Sequence, residues 1–347
     1  MIRPQNILIV RTDRIGDLVL TLPLAGIIKK NLPGSLVSFL VQNYTSPIVN
    51  NHTGIDNVLI LKEKQGKISF WENVREIKKY NFDSCIVVYP TFKIALMMLA
   101  AGIKLRVGTG YRWYSFLFNK KIYQHRKNAE FHELEYNVNL LTRIGINEKV
   151  STGAVGFGLA ANKESEQKIK QLLYENGIRG DNPIVVVHPG SGGSAVDLPL
   201  TKLKQLIGLM ACELKIDIII TGSKSEKELC EQLMVNPNIK NFAGLFDLGE
   251  LIALISRSEI IIGNSTGPIH IGAALGKFVI GFYPKITACS PERWGPYTNK
   301  KAVFQPKLEC NNCTREQCEE LDCMSSIEMK EVFDKIKNIL HDNVLEN

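Results

Sequence analysis

Two successive runs of alternating strand and helix signals, a length beyond one hydrophobic core, and polar glycine turns closing β-branched stretches predict an α/β protein of two doubly wound domains. The chain has 347 residues, and single cores stop growing at roughly 250–300. With 45% hydrophobic and 22% charged residues it reads as globular, which excludes a disordered or fibrous chain.

The first run starts with strand Asn6–Val10, helix Leu18–Lys30, and strands Leu36–Val41 and Val58–Leu61. Helix Phe70–Tyr80, strand Ser84–Val88, helix Ile94–Ala101 and a short strand Arg106–Gly108 follow. Strands separated by helices of this length pair in parallel through right-handed crossovers. Residues 128–145 carry Phe131, Leu134, Val138, Leu141 and Ile144 at helical spacing, and Gly145 is placed to cap that helix. A second run opens after Asp181, Asn182 and Pro183: strand Ile184–Val187, helix Thr201–Leu214, strand Asp217–Thr221, helix Glu226–Met234 and strand Asn241–Ala243. Helix Leu248–Ser256, strand Ile260–Ile262, helix Ile269–Leu275 and strand Phe278–Phe282 complete it. The expected division is a first domain over 1–165, a second over 166–325, and a last helix in 326–347 packing back on the first. Ligands of such sheets bind beyond the carboxyl ends of the strands, here expected in the cleft between the domains.

No apolar run approaches the roughly 18 residues of a membrane span, and residues 1–10 lead straight into a strand, so a cytoplasmic protein is expected. The net charge of +7, concentrated in Arg112, Lys120, Lys121, Arg126 and Lys127, favours acidic partners. Nucleic acid is disfavoured because no helix-turn-helix, zinc-finger or aromatic-basic pattern is present. Anionic headgroups or phosphorylated sugars remain. The segment Arg112–Phe118, with Trp113, Tyr114, Phe116 and Leu117, either touches lipid or packs inward.

Four turns carry candidate chemistry. Strand Ile260–Ile262 runs through Gly263, Asn264, Ser265, Thr266 and Gly267 into a helix opened by Pro268, with His270 one turn in. Gly263 and Gly267 are expected at positive φ, and the amides of Thr266, Gly267 and Ile269 would cradle an anion on the helix dipole. The first strand ends in Asp13, Arg14, Gly16 and Asp17, where Asp17 is either a helix N-cap or a carboxylate able to take a hydroxyl proton. His188 opens a Pro-Gly-Ser-Gly-Gly turn whose Ser191 and Gly192 offer a hydroxyl and an amide, without the spacing of an NTPase phosphate loop. Glu226 follows Thr221-Gly222 and either contacts ribose hydroxyls or compensates its own helix dipole. No G-x-G-x-x-G motif follows the first strand, which argues against a nicotinamide dehydrogenase.

The Gly16-Asp17 elbow, the His188–Gly193 loop, the Gly222 and Glu226 turn and the Thr266-Gly267 turn with His270 resemble, in order and spacing, glycosyltransferase family 9, the ADP-heptose:lipopolysaccharide heptosyltransferases and their relatives. The likeness runs from Ile7 to the last helix and includes Pro291–Pro296. It implies a GT-B fold of two facing Rossmann-like domains, an acceptor on the first and a nucleotide-diphosphate sugar on the second. It also implies an inverting transfer without a required cofactor. By the same resemblance Asp17 is the catalytic base, Asp13 and Arg14 face donor phosphates and acceptor, and Thr266, Gly267 and His270 form the diphosphate cradle. His188, Ser191, Gly192 and Ser265 complete the donor side, and Glu226 meets the ribose. The implied reaction moves a heptose or related sugar, from ADP-heptose, to a lipopolysaccharide core or other anionic glycolipid or saccharide acceptor. Contact would be peripheral, at the inner membrane face.

Two positions depart from the family pattern. Ser265 stands where an aspartate is usual, and Val196-Asp197-Leu198-Pro199 replaces a basic residue, one variable residue, tryptophan and proline. Either Arg14 or Lys224 supplies the missing cation, or the donor differs from ADP-heptose, or activity is weak; the alternative function is that of a non-catalytic nucleotide- or sugar-binding protein. Cys310, Cys313, Cys318 and Cys323, four of the chain's eight cysteines, fall within 14 residues. They read as a structural zinc or iron site, as reduced thiols or as disulfides.

Overall fold

The computed structural model describes residues 4–308 and 314–345, with side chains to 342. Two compact units result: the chain through Arg126 together with Phe131–Ala160, and Lys127–Glu130 together with the chain from Ala161 onward.

The first unit contains β1 (Asn6–Val10), α1 (Ile15–Val19), α2 (Pro23–Asn31), β2 (Leu36–Val41), β3 (Asn57–Ile60) and a small hairpin, β4 (Glu63–Lys64) with β5 (Lys67–Ile68). Then come α3 (Phe70–Lys79), β6 (Ser84–Val87), α4 (Phe92–Ala100), β7 (Leu105–Thr109), β8 (Lys120–Ile122) and α5 (Glu133–Asn139). Its main sheet has the order β3-β2-β1-β6-β7-β8, parallel throughout. Leu8, Val10, Cys85 and Val87 share one core with Val74 and Ile77 of α3 and Ile94, Met97 and Met98 of α4. A strand covered on both faces needs this unbroken apolar run.

The single helix expected over Leu18–Lys30 is two helices. Pro23 has no N–H to continue α1 and opens α2 instead. Asn137 of α5 holds the break, its Nδ2 donating to Leu20 O at 3.1 Å and Thr21 Oγ1 at 3.3 Å, while Thr21 Oγ1 donates to Asp17 O at 2.8 Å. The expected 128–145 helix narrows to α5 and a 3-10 turn over Leu140–Ile144, closed by Gly145 at φ 90° as its spacing predicts.

The second unit repeats the plan with α6 (Lys163–Glu175), β9 (Ile184–His188), α7 (Leu200–Glu213), β10 (Asp217–Ile220), α8 (Lys227–Glu231), β11 (Lys240–Asn241) and α9 (Leu248–Ser256). It continues with β12 (Ile260–Asn264), α10 (Gly267–Ala274), β13 (Phe278–Phe282), α11 (Pro291–Trp294), β14 (Lys301–Phe304), α12 (Arg315–Glu320) and α13 (Met329–Leu345). The sheet order is β11-β10-β9-β12-β13-β14, again parallel. Helix α6 fills a stretch with no expected element; Asn162 caps it by accepting from Ser165 N at 2.7 Å.

The last helix departs from expectation. Predicted to pack back on the first domain, α13 lays Val332, Phe333, Ile336 and Leu340 into the second unit's core, with Leu203, Leu206 and Met210 of α7 and Val185, Val187, Ile218 and Ile260 of the sheet. Its apolar stripe completes the cover of that face, which α7 alone is too narrow to provide. Phe333→Ala is therefore expected to lower unfolding stability by about 3–5 kcal/mol, measured by denaturant titration, through loss of burial and a residual cavity.

Candidate functional site

In each sheet the strand order reverses beside its first strand, between β1 and β6 and between β9 and β12. Crossovers leave in opposite directions there and open a crevice at the carboxyl ends. The turn after β1 and the turns after β9 and β12 flank these points.

In the first unit, β1 delivers Arg11, only 3% exposed, to the start of that turn. Its Nε donates to Asp13 Oδ1 at 2.7 Å, its Nη2 donates to Asp17 Oδ1, and its Nη1 lies 3.8 Å from Glu133 Oε1. Glu133, the first residue of α5 and fully enclosed, also pairs with Arg126, whose Nη1 donates to Asn137 Oδ1 at 3.1 Å. Three carboxylates thus share two guanidiniums. Burial favours the neutral form of Arg11, yet Asp17, Asp13 and Glu133 together outweigh it and hold the guanidinium firmly charged. With all three acids ionised the cluster carries one excess negative charge. Burial, with Asp17 as a like-charged neighbour, pushes Asp13 up to about 6 against the pull of Arg11. Arg14 caps α1 without a side-chain capping bond, and its side chain is exposed. Asp17 is therefore not the N-cap. It sits in the first turn of α1, where a carboxylate gains from the helix dipole, and is oriented by Arg11.

In the second unit three turns are laced together. Asn264, fully buried at the end of β12, accepts from Leu198 N at 2.9 Å and donates to Pro189 O at 2.5 Å. Ser194 Oγ makes 2.8 Å contacts with Ser191 O and Ser265 O, so the glycine-rich turn and the Ser265-Thr266 turn form one surface. His188 is buried, with Nδ1 3.0 Å from Thr221 Oγ1; burial lowers its pKa despite nearby Glu226, which keeps the imidazole neutral at neutral pH. Glu226 Oε2 accepts from Ser223 N at 2.8 Å and Ser223 Oγ at 2.7 Å in a capping box. Burial favours its neutral form, but these bonds bring the carboxyl below its ordinary value. A Cβ at Gly190 would overlap Glu226 Oε1, so glycine is what lets the loop pass this carboxylate.

Thr266 caps α10 without a side-chain bond and Pro268 stands in the first turn, as expected of an anion-receptive helix start. Ser265 and His270 are buried beside it, and Ser191 is buried with its Oγ 3.4 Å from Ala195 O, while Gly192 is exposed. The φ expectation for the turn fails, because neither Gly263 nor Gly267 is at positive φ. Gly263 is required for space: a Cβ there would come 2.7 Å from His188 O on the paired strand.

Sequence reasoning passed over Arg11, Glu133, Asn264 and Arg315. Arg315 Nη1 donates to Gly193 O at 3.0 Å and its Nε pairs with Glu319 at 2.7 Å, bringing a half-exposed guanidinium to the glycine-rich turn. Val196 and Leu198, where a cation and tryptophan are usual in the family, point into the apolar core. Of the cysteine cluster, Cys310 and Cys313 lie outside the described residues. Cys318 and Cys323 are buried in the core beside Met324 and Ile327, and among the described residues no three potential ligands converge on a metal position.

Two parallel doubly wound units with polar turns at their switch points have the architecture of GT-B proteins, and solved structures match it along nearly its full length. A family 9 glycosyltransferase of Veillonella parvula superposes with TM-score 0.83 at 17% identity, covering 97% of both chains. The Escherichia coli ADP-heptose lipopolysaccharide heptosyltransferase II gives 0.80 at 18%, covering 97% of this chain and 99% of that one. A Haemophilus influenzae protein assigned to the glycosyltransferases is 29% identical over 312 residues, 87% of this chain and 89% of its own. The model of glycosyltransferase family 9 (heptosyltransferase) matches residues 70–324, and the chain belongs to that family.

The Asp13 geometry has a pH consequence. An aspartate titrates near 3.8 when unperturbed and at about 6 here, so the folded state holds this proton more tightly than the unfolded chain. The stability it contributes is complete below about pH 4 and is lost as pH rises through about 6. Asp13→Asn keeps an acceptor for Arg11 Nε and removes the titration. Denaturant titrations are expected to show it more stable than wild type by about 2–3 kcal/mol at pH 7, with the advantage vanishing near pH 4.

Proposed function

We propose that this glycosyltransferase moves a heptose or related sugar, with inversion, from a nucleotide-diphosphate donor, ADP-heptose first among candidates, to an anionic lipopolysaccharide-core or other cell-envelope acceptor. The observation that carries this reading is the lacing of the glycine-rich turn to the Ser265-Thr266 turn through Ser194 and Asn264, which sets the free amides at the start of α10 beside the polar loop. Heptose and lipopolysaccharide are supported by the name of the E. coli neighbour. The acceptor falls to the first unit and the donor to the second. The cytoplasm, at the inner face of the membrane, is the proposed place of reaction.

In the proposed step Asp17 takes the proton of the acceptor hydroxyl as its oxygen bonds to the anomeric carbon. The bond from that carbon to the diphosphate oxygen breaks, and the nucleoside diphosphate leaves with the electron pair. Arg11 holds the Asp17 carboxylate in one rotamer. The α10 amides, with Thr266, Gly267 and His270, receive the developing negative charge. Ser191, Gly192 and Ser265 shape the donor pocket, and Glu226 and His188 border the nucleoside. Arg315 is proposed for the role of the cation absent at Val196, since it reaches Gly193 where Lys224, on the neighbouring turn, is directed to solvent. Asp13 and Arg14 are proposed to face the donor phosphates and the acceptor.

Asp17→Asn is expected to lower kcat by about 10²–10⁴-fold with donor affinity retained, read as nucleoside diphosphate release and donor calorimetry on the same variant. Wild-type protein that binds donors across an ADP-, GDP- and UDP-sugar panel but turns over none would establish the non-catalytic alternative. Arg315→Gln is expected to weaken ADP binding by about tenfold or more while AMP binding changes little, and Arg315→Lys restores part of the loss. Equal ADP affinity in all three proteins assigns that cation elsewhere.

A further inference from the structure

The sequence between Asp83 and Glu130 contains no acidic residue. Its 46 residues carry Lys93, Lys104, Arg106, Arg112, Lys120, Lys121, Arg126 and Lys127, eight positive charges against a whole-chain total of +7, which leaves the rest of the chain at −1. The protein is therefore basic in one stretch and slightly acidic elsewhere.

That stretch also displays large aromatic side chains to solvent. Trp113 is 74% and Phe116 67% exposed, and Tyr89, Phe92, Tyr111 and Tyr123 are exposed as well. All six leave the carboxyl ends of parallel neighbours: Tyr89 and Phe92 follow β6, Tyr111, Trp113 and Phe116 follow β7, and Tyr123 follows β8. They share the sheet edge on which Asp13 and Asp17 follow β1. Lys93 and Arg112 stand on the same edge with their side chains exposed.

This exposure is built into the loop. Between Trp113 and Phe116, Tyr114 turns inward and donates its hydroxyl to Pro90 O at 2.6 Å, and Ser115 Oγ donates to Thr109 O at 2.7 Å while accepting from Arg112 N at 3.0 Å. Leu117 and Phe118 are buried in the core. Arg106 closes the turn from below, donating to Leu117 O at 2.8 Å and Ile103 O at 2.5 Å. With its neighbours anchored, Trp113 stacks on Phe92 with ring centroids 4.9 Å apart, and Tyr111 lies 4.3 Å from His125 and 5.4 Å from Tyr123. Indole and phenol rings beside Lys and Arg, with no carboxylate in the stretch to repel phosphate, match the headgroup layer of an anionic bilayer, apolar below and negative above.

We propose that this edge of the first unit docks on anionic phospholipid, with Trp113 and Phe116 entering the headgroup-acyl boundary and Lys93 and Arg112 meeting lipid phosphates. The docked edge is the one that carries Asp17, so a membrane-borne acceptor would meet the carboxylate at headgroup level. Docking rests on surface features of its own, and vesicle binding is read apart from donor chemistry, so each claim can fail alone.

The test is cosedimentation of the full chain with vesicles of phosphatidylcholine containing about one-third phosphatidylglycerol, against phosphatidylcholine alone, at low and high salt. Binding is expected only to the anionic vesicles and is expected to weaken with salt. Lys93→Gln and Arg112→Gln should each lower the partition coefficient about fivefold, and Trp113→Ser/Phe116→Ser by about tenfold or more. Donor calorimetry on the double variant reports whether it is folded. A Trp71→Phe/Trp294→Phe variant leaves Trp113 as the sole tryptophan of the chain's three; its emission should shift to the blue and be quenched by brominated acyl chains. Unchanged Trp113 emission in saturating anionic vesicles, equal binding by Trp113→Ser/Phe116→Ser, or sedimentation independent of phosphatidylglycerol would each overturn the proposal. So would binding of soluble anionic saccharide at this edge without vesicle binding.

Discussion

All-parallel pairing is the constraint from which the rest of this protein follows. A parallel sheet cannot be closed by hairpins, so every strand must be followed by a crossover, and both faces must be covered by helices. The strands then have to be apolar on both sides, as Ile7–Val10, Val185–Val187 and Ile260–Ile262 are, each fully enclosed. Polar function is thereby driven to the strand ends. Because all strands of a sheet point one way, residues far apart in sequence meet at one edge.

This explains what could and could not be read from sequence. The central strands are legible because β-branched runs leave no alternative, and the turns because glycine and hydroxyl residues cluster where those runs stop; the outer strands β8 and β14, short and opened by lysines, and the β4–β5 hairpin carry no such run and had no expected element. Arg11 is hidden from sequence reasoning because a charge directly after an apolar strand looks like its solvated end; Asp17 and Glu133, brought beside it by the fold with Asp13 as a further acceptor, make a buried guanidinium tolerable. Arg315 reaches Gly193 across 122 positions, a relation that no local pattern encodes. Helix α6 was missed because its polar face dominates its composition, and the last helix was misplaced because an apolar stripe states that it must pack without stating where. At Gly263 the constraint is proximity to His188 O, a contact across paired strands that the local sequence does not encode, and a positive φ plays no part.

The electrostatic design differs between the two units. In the first, ionised groups are buried in mutual contact, an arrangement costly in desolvation and tolerable only when each charge has a partner. It fixes geometry at the expense of stability. In the second, neutral bonds from Asn264, Ser194 and Thr221 link the turns, with the Glu226 carboxylate bonded to Ser223 and Asp197 accepting from Ser191 N at 3.3 Å, and a half-exposed guanidinium stands at the glycine-rich turn to meet an incoming anion. A preformed cradle needs little rearrangement when a diphosphate arrives or departs.

The break between α1 and α2 is held by Asn137, 117 positions beyond Leu20, and Arg11 finds Glu133 at a similar remove. A ribosome emits the chain from the amino end, so β1, α1 and α2 leave the exit tunnel well before their fastener exists. The Asp17 turn therefore cannot reach its final form until α5 has been synthesised and has folded back, which makes this corner among the last of the first unit to set during translation.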